Sequence, residues 1–186
     1  MFQITPSASA AKVIANDNCF QVCFTDPNQG TASADYIASK GLATKVAVIY
    51  NSSDAYSSGI YDNFKAEAAA KGLDLVASEA FTGDSKQDFS SQLSKIKASG
   101  AELIFLPIYY QEASLILSQA KNAGITAKFF GCDGLDGLLN IENFDKSLAE
   151  NVMLLTPFAA NATDETTKKF VTAYNAKYDP STLNQF

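Results

Sequence analysis

Short apolar runs begin near Lys45, Leu73, Glu102, Ala127 and Asn151, about one every 30 residues. That is the length a strand, a crossover helix and a return to the same sheet require. The rhythm predicts a layered α/β fold built on a doubly wound parallel sheet. Its clearest run, Lys45-Val46-Ala47-Val48-Ile49-Tyr50, is rich in β-branched residues and holds no breaker. Ala101 to Leu106 is a second run of strand length, closed by Pro107, which cannot donate to a ladder. Between the runs, Ile60, Phe64 and Ala68, then Phe89, Leu93 and Ile96, then Ala113, Ile116, Leu117 and Ala120 fall at the spacings of buried helix faces. Gly72, Gly100 and Gly124 stand where those helices should stop. Ser85 to Asp88 has capping-box spacing ahead of the second helix. The expected strand order is about 2-1-3-4-5, with the first and third strands flanking the switch point and ligands lying beyond the strands' carboxyl ends.

Three strand exits carry recognition chemistry. The loops after the first and third strands contain Tyr56 and Tyr109, and the loop after the fourth contains Asp133 between Gly131 and Gly134. A carboxylate held in a backbone turn could bind an ammonium through charge-assisted hydrogen bonds, or it could simply cap the turn. Two tyrosines could wall a ligand with few rotors to freeze; their shared address favours this over ordinary rim packing. Outside the rhythm, Ser7-Ala8-Ser9-Ala10 is a small-residue loop whose hydroxyls and amides could receive a carboxylate, although turn chemistry is the plainer account. Cys19 to Thr25 alternates and reads as a strand ended by Asp26-Pro27, followed by a helix from Asn28 to Ser39. A last helix, from about Thr163 to Tyr178, presents Phe170, Val171 and Tyr174 as its packing face and has no strand after it.

Composition removes several chemistries. The chain has no His, which excludes Ser-His triads, His-ligated zinc and imidazole acid-base catalysis. It has no Arg, so an anionic group must be held by amides, hydroxyls or Lys. A formal charge of −6 with 14 basic residues argues against nucleic acid as a partner. No apolar run has bilayer length, and Met1 to Thr5 lacks the pattern of a signal peptide. Phosphate-binding glycine motifs are absent, and the aspartates do not fall at calcium-loop spacing, so no cofactor and no metal are expected. Cys19, Cys23 and Cys132 form no CxxC pair and are expected as three packed thiols. Cys132 could act as a nucleophile beside Asp133, but without His or a nearby cation its reading as a small buried residue is favoured.

The words Ile4-Thr5-Pro6-Ser7-Ala8-Ser9, Phe24-Thr25-Asp26-Pro27-Asn28-Gln29-Gly30, Lys45 to Tyr50, Asp88-Phe89-Ser90, Phe105 to Tyr110 and Gly131-Cys132-Asp133-Gly134 occur in this order. With them the chain resembles the substrate-binding proteins of branched-chain amino-acid importers, the type I periplasmic binding proteins, through nearly its whole length. The resemblance implies a non-enzymatic protein in which two α/β lobes close on an amino-acid ligand by hinge motion and dock on an ABC permease. It implies an extracytoplasmic place, in the periplasm or on the outer face of the membrane through a lipoprotein anchor. Carried over by position, Ser7 and Ser9 hold the ligand carboxylate, Tyr56 is a wall, Tyr109 lies near the ammonium and Asp133 is its counter-ion.

The same resemblance divides the chain into a first-lobe remnant with crossover at 1–27, a ligand-binding second lobe at 28–155, and a crossover with a truncated first-lobe helix at 156–186. A chain of this kind is expected to bind amino acids weakly by itself, and exposed apolar surface would favour a dimer or a domain swap. The particular amino acid is left open. Two other readings stand beside this one: a ligand-sensing domain of a receptor or transcriptional regulator on the same fold, and a flavodoxin-like enzyme using Asp133 and Cys132.

Overall fold

The computed structural model describes residues 1–183. Its contacts divide the chain into one unit from Met1 to Leu155 and a second from Thr156 onward; residues 184–186, the end of the expected last segment, lie outside the described residues. The first unit is built on a five-stranded sheet of β3 (Lys45–Asn51), β4 (Asp74–Phe81), β5 (Leu103–Leu106), β6 (Lys128–Gly131) and β7 (Val152–Leu154). All pairings are parallel and the order is β4-β3-β5-β6-β7, the order expected from the spacing of the runs. Strands buried on both faces must be apolar at every position. In β3, Val46 and Val48 enter one core while Ala47 and Ile49 enter the other, and in β5 Leu103 and Phe105 oppose Ile104 and Leu106 in the same way.

The first core is covered by α1 (Asp26–Ser39) and α2 (Ala55–Ala70), through Ala34, Ile37, Ile60 and Phe64. The second is covered by α3 (Ser90–Ser99) and α4 (Tyr110–Asn122), through Leu93, Ile96, Ala113 and Ile116. Helices α1 and α2 pack closely because residue 30 is glycine: a Cβ there would come within 2.3 Å of the Ile60 carbonyl oxygen. A separate two-stranded parallel sheet joins β1 (Gln3–Thr5) to β2 (Cys19–Gln21), with Ile4 opposite Phe20. The second unit contains α5 (Glu165–Asn175), capped at its start by the Asp164 carboxylate accepting from the Thr167 amide. On α5 Phe170 meets Phe158 edge-on at 5.9 Å and remains half exposed.

Several local expectations need correction. The strand read from Cys19 to Thr25 ends at Gln21, because its partner β1 stops at Thr5 ahead of Pro6 and leaves nothing to pair with. Helix α1 starts at Asp26 rather than Asn28, with Pro27 in the first turn, where its missing N–H costs nothing. The capping box at Ser85 to Asp88 does not form. Ser85 Oγ accepts from the Thr82 amide and Asp88 accepts from the Ser90 amide at 2.9 Å, so the chain makes two tight turns and α3 begins only at Ser90. Helix α5 is shorter than the span read from Thr163 to Tyr178. All three cysteines are free thiols, but only Cys132 is fully buried; Cys19 and Cys23 are partly exposed.

Candidate functional site

In this topology the chain leaves β3 toward one edge of the sheet and leaves β5 toward the other, so a crevice opens beyond their carboxyl ends. Tyr56 enters it from the first turn of α2, a helix whose N-cap Asp54 accepts from the Ser57 amide at 3.0 Å. Tyr109 is the N-cap residue of α4, just after Pro107 has ended β5. Asp133 opens a short 3-10 turn after β6. The Tyr56 hydroxyl donates to Asp133 Oδ1 at 2.6 Å and accepts from the Gly134 amide at 2.9 Å. Tyr56 and Tyr109 stack with ring centroids 4.9 Å apart. Only glycine fits at 134, because a Cβ would lie 2.8 Å from both the Tyr56 hydroxyl and the Ile108 carbonyl oxygen.

Three residues separated by as much as 77 positions thus share one lip of the sheet. Tyr56 is nearly buried and Tyr109 is 41% exposed, which makes one ring the floor and the other the open wall. Burial, followed by the nearby Cys132 and Asp133, pushes the Tyr56 phenol well above its usual range, so it stays a hydrogen-bond donor. Burial and the charges of Asp54, Asp26 and Asp133 raise Tyr109 to about 12. Cys132 is fully buried, with its Sγ 3.7 Å from Ser33 Oγ, and burial raises its thiol strongly. It is packing, as favoured, and carries no thiolate.

The two serines are placed differently. Ser9 lies at the edge of this region, its carbonyl accepting the Asp26 amide at 3.0 Å. Ser7 is exposed, and its amide donates to the hydroxyl of Thr5 at 3.3 Å; no hydrogen bond joins it to the tyrosines or Asp133 among the described residues. Helix α1 adds groups that the sequence reading did not single out. Asp26, Gln29 and Ser33 are buried on one face, and Gln29 Oε1 accepts from the Asp133 amide at 3.3 Å. The signal was present in the spacing of 3 and 4 between three polar residues on a helix that otherwise buries Ala34 and Ile37. A polar stripe toward the core needs polar partners there.

Residues 2–186 match the family model described as periplasmic binding protein. The leucine-, isoleucine-, valine-, threonine-, and alanine-binding protein of Pseudomonas aeruginosa is 29% identical over 97% of this chain and 48% of its own length. A leucine binding protein from Thermotoga maritima superposes with a TM-score of 0.83 at 29% identity, over 94% of this chain and 50% of that one. The branched-chain amino acid transporter substrate binding protein of Streptococcus pneumoniae, solved in complex with isoleucine, gives 0.82 at 30% identity, over 95% and 50%. The chain therefore spans about half the length of these proteins. A match over nearly every residue, on a parallel sheet of the expected order, means that this chain belongs to the periplasmic binding protein family.

Proposed function

We propose that this chain is part of the solute-binding component of an ABC importer for amino acids, branched-chain or similar, and binds its ligand without catalysis. Residues 28–155 act as the ligand-binding lobe, while 1–27 and 156–186 belong to the other lobe and the crossovers. The protein works outside the cytoplasm and hands its cargo to a membrane permease. In this reading Asp133 takes the ligand ammonium, Tyr56 and Tyr109 wall the side chain, and Ser7 and Ser9 receive the carboxylate. The observation that carries it is the bond between the Tyr56 hydroxyl and Asp133 beneath the stacked Tyr109 ring. It fixes an acid on a mostly apolar aromatic surface, which is what an aliphatic side chain beside a cationic nitrogen requires. The names of the relatives support the ligand class.

A zwitterion on one open lobe keeps much of its hydration, so the contacts gain little from a low dielectric. Calorimetry with L-leucine, L-isoleucine, L-valine and L-alanine should therefore show binding in the millimolar range, about −4 kcal/mol. Asp133→Ala should remove it; unchanged affinity would take Asp133 out of the site. Tight binding by the unmodified chain would show that one lobe suffices.

A further inference from the structure

Gln29 is an unexpected residue for its place. It stands near the start of α1, is 1% exposed, and belongs to a helix whose apolar contacts come from Ala34 and Ile37. A side chain that only filled this space would be apolar, because an amide taken out of water needs partners at both ends. Gln29 has a partner at one. Its Oε1 accepts from the Asp133 amide at 3.3 Å, while its buried Nε2 has no acceptor among the described residues. That bond fixes which way the amide points, since the flipped group would set two donors against each other. One turn further along α1, Ser33 reaches the same loop, its Oγ 3.7 Å from Cys132 Sγ.

The loop after β6 is therefore held from two helices. From α2, the Tyr56 hydroxyl donates to the Asp133 carboxylate and accepts from the Gly134 amide. From α1, Gln29 takes the Asp133 amide, so Asp133 is fixed at its backbone as well as its side chain. The two helices touch at the neighbouring Gly30, where a Cβ would lie 2.3 Å from the Ile60 carbonyl oxygen. An amide suits this place better than the alternatives. A carboxylate at 29 would add a like charge one turn from Asp26 and beside Asp133, and an apolar side chain would offer no acceptor. We propose that Gln29 is a positioning residue of the amino-group pocket: by holding the Asp133 amide it sets the direction in which the Asp133 carboxylate meets the ligand ammonium. This rests on the reading of Asp133 as the ammonium acceptor.

The geometry has a readable consequence. An acceptor fixed before the ligand arrives spares the cost of ordering it at binding. That benefit reaches only the cationic end of the ligand, so loss of the Gln29 acceptor weakens an amine and spares a carboxylate. A side chain that merely supported the fold would weaken both together. The coupling is also reciprocal: what steadies the Asp133 amide improves the hold on an ammonium, and an ammonium held by Asp133 steadies the amide.

The test compares the unmodified chain with Gln29→Met and Gln29→Glu by NMR, reading hydrogen exchange at the Asp133 amide and titrations with 3-methylbutylamine, which carries only the ammonium, and 4-methylpentanoate, which carries only the carboxylate. Gln29→Met nearly keeps the volume and loses the acceptor. Exchange at Asp133 should become about fivefold faster and the affinity for the amine about fivefold weaker, the effect of one ordinary hydrogen bond, with the affinity for the carboxylate probe unchanged. Gln29→Glu keeps an acceptor and should keep the slow exchange. Equal weakening of both probes in Gln29→Met, or an undiminished affinity for the amine, overturns the proposal and leaves Asp133 as the ammonium acceptor. If 3-methylbutylamine does not move the Asp133 resonances of the unmodified chain, the ammonium reading itself fails and the proposal goes with it. Should Gln29→Met not fold, the unmodified chain still decides: exchange at Asp133 should slow about fivefold with saturating 3-methylbutylamine and not with 4-methylpentanoate, and an unchanged rate overturns the proposal.

Discussion

Among the described residues the chain holds two parallel sheets, and they differ in what covers them. In the five-stranded sheet, Val46, Val48, Leu103 and Phe105 lie under α1 and α2 with no exposure, and Phe105 stacks on Phe64 at 4.1 Å. In the two-stranded sheet, Ile4 and Phe20 are paired, with Phe2 and Val22 just outside the strand ends, yet the four are 56%, 48%, 68% and 72% exposed. Among the described residues, their aromatic support is the stack of Phe2 on Phe20 at 5.2 Å. Parallel pairing occurs in both places, but stability comes from the layer laid on top. Parallel pairing alone is a weak source of it.

The comparison can be broken most directly with paired truncations. Phe105→Ala should cost about 3–5 kcal/mol in denaturant unfolding, whereas Phe20→Ala should stay within about 0.5 kcal/mol. Equal losses would mean that the small sheet is as much a part of the cooperative core as the large one. Asp26 sharpens the contrast from the other side, because the well-covered region also contains an acid that burial destabilises. Its folded-state carboxyl, at about 6, lies above its ordinary 3.8, so the folded chain holds that proton more tightly than the unfolded chain does. The penalty of the ionised form is thus fully present above about pH 6, shrinks as the pH falls and is gone below 3.8. Asp26→Asn should therefore stabilise the free chain by roughly 1–3 kcal/mol at pH 7.5 and by nothing at pH 3.5. A gain that persisted at the lower pH would point to packing rather than charge.

A smaller effect is expected at Asp54, whose carboxylate satisfies the Ser57 amide at the start of α2. Asp54→Ala should cost about 1 kcal/mol, measured as a shift in urea midpoint with unchanged slope. Smallest for stability, though informative for assembly, is Phe2→Ser with Phe20→Ser. Removing this exposed pair should reduce self-association in light scattering while moving the unfolding midpoint little. An oligomer that persisted would place the contact elsewhere.

The same contrast explains what could be read without coordinates. The strands β3 and β5 were legible because burial on both faces leaves an unbroken apolar run, and the roughly regular spacing of the runs implied the sheet order. The meeting of Tyr56, Tyr109 and Asp133 followed from that order, since topology alone carries those three exits to one lip. Elements without a covering layer were misjudged: Cys19 to Thr25 has the alternation of a longer strand, but only three of its residues find a partner. Asp26 was passed over because an acid before proline reads as a strand end and a helix start. Its burial beside Asp54 and Asp133 depends on residues far along the chain, which no local pattern contains.

Glycine at position 30 has a mechanical consequence. At Gly30 the backbones of α1 and α2 come into direct contact, so at that point no side chain is available to yield if the helices were pressed closer. Asp26 is anchored to one member and Tyr56 to the other. Their spacing is therefore set where the two helices touch, and a side chain at position 30 would force it wider.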